Sequence, residues 1–197
     1  MRFYSYKFSD ISPTKQNGKV CIWTVFFSIG AFFVISFINS RFIGLTGLAP
    51  EESALGFSSL ATLLWLLLNI SYAFIEELIF RGLLYKNYEK DFSVIFSAVV
   101  ISLEAAVNNV PAFGIMLYVF IYSLILFYIR RRFGDIRLCI IMHLIMNLFK
   151  NLSFFIGEGY YNTVMNIGAA AGLVIAAVSM YLMIKCADAP EKAPKAA

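Results

Sequence analysis

FIEELIFRGLLY, residues 74–85, places two adjacent glutamates and an arginine at the end of one of the most apolar runs in the chain. That run extends from Phe57 to Ile75, close to the ~20 apolar residues that a helix needs to cross a bilayer. Ionisable groups are costly in such surroundings, so a glutamate pair there is a functional candidate by default. The rest of the chain has the same character. It is 60% hydrophobic and only 14% charged, with a mean hydropathy of +0.78. Soluble domains are about half apolar and a quarter charged, so lipid is the expected solvent for much of this surface. Twenty Phe and eleven Tyr suit both a core and the interfacial belts of a membrane protein.

Six apolar segments read as spanning helices: Val20–Asn39, Phe57–Ile75, Phe92–Val107, Gly114–Ile129, Leu138–Ile156 and Val164–Ile184. Pro111 fits a tight turn between the third and fourth. The basic residues test this map. Segments before, between and after the spans alternate, and 14 of the Lys and Arg residues fall on one side against 2 on the other. The positive-inside rule assigns the richer set to the cytoplasm. The expected fold is therefore all-α, a polytopic membrane bundle of about six transmembrane helices with both termini cytoplasmic. Residues 1–19 form a cytoplasmic lead-in, 20–185 the helical domain, and 186–197 an Ala/Pro/Lys-rich tail expected to be disordered. The length allows one compact domain. Cys21, Cys139 and Cys186 lie too far apart for a CxxC or metal-ligand spacing and read as unpaired buried thiols.

Few ionisable groups lie inside the apolar segments: Glu76 and Glu77 at the end of the second, Glu104 in the third and His143, the only histidine, in the fifth. Asn108, Asn109 and Asn147 accompany them. Glu77 and Arg81 are four apart and can pair across one helical turn, leaving Glu76 ~100° around the helix and free to face elsewhere. His143 and Asn147 share a face in the same way. A carboxylate from one helix and a His/Asn pair from another suit general acid–base chemistry, with oxyanion stabilisation by the second pair. Taken singly, each has a plain structural reading: an ion pair at a helix end, a packed histidine, a snorkelling carboxylate. Their concentration on three helices favours a common site.

EELIFRG, residues 76–82, resembles the Glu-Glu-x-x-x-Arg motif of the CPBP intramembrane protease family, which includes the CAAX prenyl endopeptidases and bacterial proteins tied to bacteriocin maturation or self-immunity. HLIMN, residues 143–147, resembles its His-x-x-x-Asn motif. The resemblance covers roughly Phe57 to Phe149. The middle motif departs: where the family shows Ser-Leu-x-Phe-x-x-x-His-x-Pro, this chain reads SLEAAVNNVP, residues 102–111, with Ala105 for the Phe and Asn109 for the His.

The resemblance implies an intramembrane endopeptidase in which Glu76 and the residue at 109 activate water, His143 and Asn147 stabilise the oxyanion, and Glu77 and Arg81 brace the site. An amide at 109 orients water but cannot exchange a proton near neutral pH, which leaves open a slow enzyme or none. The alternative is a non-catalytic relative that acts by binding in bacteriocin immunity or membrane signalling. A proton-coupled transporter using Glu104 is a third and weaker reading, since no internal repeats are seen. Glu104 is an auxiliary candidate if a kink before Pro111 brings it into the site. The family is often described as metalloproteases, but Glu76, His143 and Asn109 make a poor zinc set, so no metal is assigned. A peptide or protein substrate and the lipid bilayer are the expected partners, nucleic acid is not, and the expected location is a bacterial cell membrane. No long GxxxG-rich face stands out, and the oligomeric state stays open.

Overall fold

A computed structural model describes residues 16–46, 59–107, 113–152 and 158–188. Among them every element is helical: α1 (Gly18–Thr46), α2 (Ser59–Glu77), a π-helical segment (Leu78–Leu84), α3 (Tyr85–Asp91), α4 (Val94–Val107), α5 (Phe113–Phe133), α6 (Ile136–Leu152) and α7 (Glu158–Ala187). Each of the six apolar segments maps, over its described residues, onto one helix. The lead-in before Gln16, the tail beyond Asp188, and Asn108, Asn109 and Pro111 lie outside the described residues.

Short polar residues fix where the helices begin and end. Asn17 caps α1, its Oδ1 accepting the Val20 N–H at 3.1 Å. Ser93 caps α4 through the Phe96 N–H at 3.3 Å. The turn between α5 and α6 takes only two residues. Gly134 adopts φ 69°, the left-handed conformation that closes a helix, and Asp135 accepts the Arg137 N–H at 3.0 Å to open the next one. Neither signal was drawn from the sequence, although both Gly134 and Asp135 are residues of the expected type.

Packing sets the polar and apolar surfaces in inverted order. Ile95 on α4 is 78% exposed and Leu68 on α2 68%, while Leu173, Val174 and Val178 stand outward on α7. Thr24, Ser28, Ser97 and Ser102 are fully buried. Thr24 and Ser28 satisfy their hydroxyls on carbonyls one turn back, at 2.9 and 2.6 Å, as hydroxyls do inside apolar helices. An apolar exterior this continuous fits a lipid contact better than water. Among the described residues two helices, over Gly18–Phe42 and Thr163–Ala187, are long and apolar enough to cross a membrane.

The main core lies between α1, α5, α6 and α7 and contains Phe32, Ile35, Leu126, Ile129, Met142 and Met183. A smaller one joins the π segment, α3, α4 and α5 through Phe80, Tyr85, Ile101 and Phe127. Helices α1 and α7 run together along much of their length. Small residues allow this: a Cβ on Gly30 would stand 2.5 Å from the Gly172 carbonyl oxygen and 2.7 Å from the Ala176 nitrogen. Gly168, Gly172 and Ala176 form a GxxxGxxxA face on α7, and it is spent inside the chain on α1. The sequence reading overlooked this face.

The first residues of α1, the α5–α6 turn and the last residues of α7 meet at one end of the bundle. Gln16 Nε2 donates to the Phe133 carbonyl at 2.9 Å, Asn17 Nδ2 to the Cys186 carbonyl at 3.1 Å, and Arg132 to both Asp188 carboxylate oxygens at 2.8 Å. Arg130 and Arg137 lie at this same end.

Replacing Gly172 with Val puts a branched side chain against the Gly30 backbone. Thermal unfolding in detergent should show a loss of about 1–3 kcal/mol, whereas Ala170→Val, at an exposed position of α7, should leave the melting temperature unchanged. Equal melting of both variants would contradict the close α1–α7 contact.

Candidate active site

The glutamate pair closes α2, and the helix then changes character. From Leu78 to Leu84 its hydrogen bonds run from residue i to i+5, as in the Tyr85 N–H bonded to the Phe80 carbonyl. Such π turns are rare and occur frequently at functional sites. This one carries Arg81 and seats it against α5.

Glu77 is wholly buried and Arg81 only 2% exposed. Arg81 Nη1 donates to Glu77 Oε1 at 3.1 Å, so the expected pair forms. It is not the two-pronged grip that a guanidinium and a carboxylate can make. The other prong, Nη2, donates to the Ser123 hydroxyl at 2.5 Å and its carbonyl at 3.2 Å, tying the π segment to α5. Arg130, one helical stretch further along α5, returns the contact from its Nε to the Arg81 carbonyl at 3.1 Å. Its guanidinium also bonds the Gly134 carbonyl, so the site is coupled directly to the α5–α6 turn.

His143 reaches this network from α6. Its Nδ1 stands 2.8 Å from Glu77 Oε1 and its Nε2 3.7 Å from Glu76 Oε2. The sequence reading had Glu76 diverging from Glu77. Both instead reach the same imidazole, because the two ring nitrogens point in different directions and meet carboxylates that leave the helix at different angles. An ionised carboxylate only accepts, so Nδ1 carries a proton and Nε2 faces Glu76. The 3.7 Å separation there is too long for a hydrogen bond.

His143 and Glu76 border a cavity of about 50 Å³. Glu76, His143 and Asn147 line it together with Tyr118, Tyr122, Ser123 and Ala105. The structure thus brings three of the four expected catalytic residues to one space. Asn109, the fourth, lies outside the described residues. Glu104 is not among the residues lining the cavity. It turns into a separate open groove between α4 and the π segment, walled by Ile79, Phe80, Leu84 and Leu103, where its Oε1 accepts the Tyr88 hydroxyl at 2.9 Å. That carboxylate holds the Tyr88 hydroxyl above the usual phenol pKa, with burial adding to the shift. The neutral phenol is favoured, so this contribution to stability is present below pH 10 and is lost as the pH rises through the raised value.

Ser123, Arg130 and Tyr122 were not singled out from the sequence. Serine and tyrosine are common in apolar helices, and Arg130 is one of three consecutive arginines, so none carried a signal of its own.

A metal does not fit this donor set. His143 Nδ1 is engaged by Glu77, which is itself engaged by Arg81, and among the described residues no three of His, Cys, Asp and Glu converge as ligands.

Residues 58–149 match the family model described as type II CAAX prenyl endopeptidase Rce1-like. This part of the chain is similar to the Rce1-like family. No curated protein and no solved structure matches the chain. The matched region runs from the start of α2 into α6 and so contains every candidate site residue, whereas α1 and α7 lie outside it. The family is one of membrane-embedded peptide hydrolases, which agrees with the resemblance read from EELIFRG and HLIMN.

Removing Arg81 would strand the Glu77 carboxylate in the interior. Breaking a buried ion pair costs about 3–5 kcal/mol, so Arg81→Ala should lower yield and melting temperature sharply in detergent. Normal expression and melting of that variant would show that the pair does not brace this helix end.

Proposed function

We propose that the protein is an intramembrane endopeptidase that cleaves a peptide bond near the cytoplasmic face of the membrane by glutamate-activated water. The observation that carries this reading is the convergence of Glu76 and His143, from separate helices of an Rce1-like region, on one polar cavity. Six spanning helices with both termini cytoplasmic complete the proposal. Its support is the meeting of the α1 start, the α5–α6 turn and the α7 end at one basic end of the bundle.

In the proposed reaction Glu76 takes a proton from a cavity water as the water oxygen bonds to the substrate carbonyl carbon. The carbonyl electron pair moves to its oxygen, which accepts hydrogen bonds from the Asn147 amide and from Nε2–H of His143, acting here as an imidazolium with a proton on each ring nitrogen. When the pair returns, the C–N bond breaks and Glu76 delivers its proton to the departing amine. Glu77 holds the imidazole so that Nε2 faces the cavity. Asn109 contributes orientation only, and the turnover expected is slow.

Cleavage of a peptide library in proteoliposomes, read by mass spectrometry, tests the proposal. Glu76→Gln should fold normally and His143→Ala with a lower melting temperature, and each should lose about 10²–10⁴-fold in rate per folded protein. Equal cleavage by wild type and both variants would remove the catalytic assignment.

The Asn109 substitution supports a second reading, a non-catalytic relative acting by binding in bacteriocin immunity or signalling. On that reading the cellular phenotype survives Glu76→Gln. Asn109→His separates the two further: a large gain in cleavage would mark an enzyme that has lost its second acid–base group.

A further inference from the structure

Tyr122 lies on α5, one residue before the serine that holds Arg81, and is 5% exposed. Its ring meets the His143 imidazole edge to face, with centroids 5.4 Å apart and planes at 75°. It lines the cavity shared by Glu76, His143 and Asn147. Its hydroxyl is shut off from solvent and has no hydrogen-bond partner among the described residues. Buried hydroxyls are seldom left so, because burial removes the bonds that water would have made. An orphaned phenol at a polar cavity therefore points to something in that cavity.

The space fits a water molecule. One water needs ~10–15 Å³ of such volume and two to four polar partners. The cavity offers about 50 Å³ and has three further polar residues, Glu76, His143 and Asn147, in its walls besides Tyr122.

We infer that the Tyr122 hydroxyl donates a hydrogen bond to a water held in this cavity beside Glu76, and that this water is the nucleophile of the proposed hydrolysis. The second part rests on the catalytic reading; the first does not. Water has two protons and two lone pairs. One proton points to the Glu76 carboxylate, which removes it as the new C–O bond forms. The phenol occupies one lone pair and leaves the other directed at the carbonyl carbon. Tyr122 thus aims the water and moves no proton. That matters more in this chain than where a histidine stands at position 109, because here the amide at 109 cannot share the proton transfer.

Tyr122→Phe deletes the hydroxyl and keeps the ring against His143. The test combines experimental structures of wild type and variant, at a resolution that shows ordered water, with cleavage kinetics on the same preparations. The wild type should show a water within hydrogen-bonding distance of both Tyr122 Oη and the Glu76 carboxylate. The variant should lose or displace it, keep its melting temperature and KM, and lose roughly tenfold in kcat, about what one neutral hydrogen bond supplies. A wild-type cavity without the water, or a water unmoved in the variant, overturns the inference. Wild-type cleavage by a variant that has lost the water overturns the nucleophile assignment. Loss of the water with no cleavage by either protein removes the hydrolytic reading and leaves the water site standing.

Discussion

A carboxylate and a guanidinium buried together, Glu77 and Arg81, constrain everything around them. Neither tolerates an apolar interior alone, and besides bonding the other each takes a partner from another helix. Arg81 must find Ser123 on α5, and Glu77 must find His143 on α6. Three helices are thereby held in one register at the level of the site. Arg130 extends the network to the α5–α6 turn, so the basic end of the bundle and the polar interior form one connected structure.

The pair gives the neighbouring Glu76 its character. Glu76 is close enough to His143 to share its field and too far to bond it, and what lies beside them is a small space rather than a side chain. A carboxylate left half-buried at the edge of such a space is available to a ligand or a water, whereas Glu77 is committed. Two chemically identical residues, adjacent in sequence, are assigned different work by what surrounds them. The π turn that follows belongs to this division, since it is the segment from which Arg81 reaches across to α5.

How much of this was legible in the sequence depended on how local the determinant was. The six apolar stretches announced their helices because a run of ~20 apolar residues has few other uses. The Glu77–Arg81 pair followed from a spacing of four, and the sharing of a site by Glu76, His143 and Asn147 from the scarcity of polar groups in these spans. What the sequence hid was non-local. No pattern tells that the Arg81 fork divides between Glu77 and Ser123, that Tyr122 loses its hydrogen-bond partners, or that Glu104 turns to Tyr88 in a different groove. The ~100° between the two glutamates on the helix does not foretell their convergence on one ring, because an imidazole reaches two ways. The GxxxGxxxA face of α7 was readable and was overlooked; only the position of Gly30 reveals that it serves α1.

Since His143 is the only histidine in the chain, its imidazole can be observed alone. Nitrogen NMR of the protein labelled with ¹⁵N-histidine, in nanodiscs, reads which ring nitrogen holds the proton and what it is bonded to. A ring clamped between the two glutamates shows a hydrogen-bonded proton on Nδ1, and the Nδ1 resonance moves when Glu77 is changed to Gln in a protein that still folds. A bare Nδ1 with the proton on Nε2, indifferent to the residue at 77, contradicts the arrangement on which the site depends.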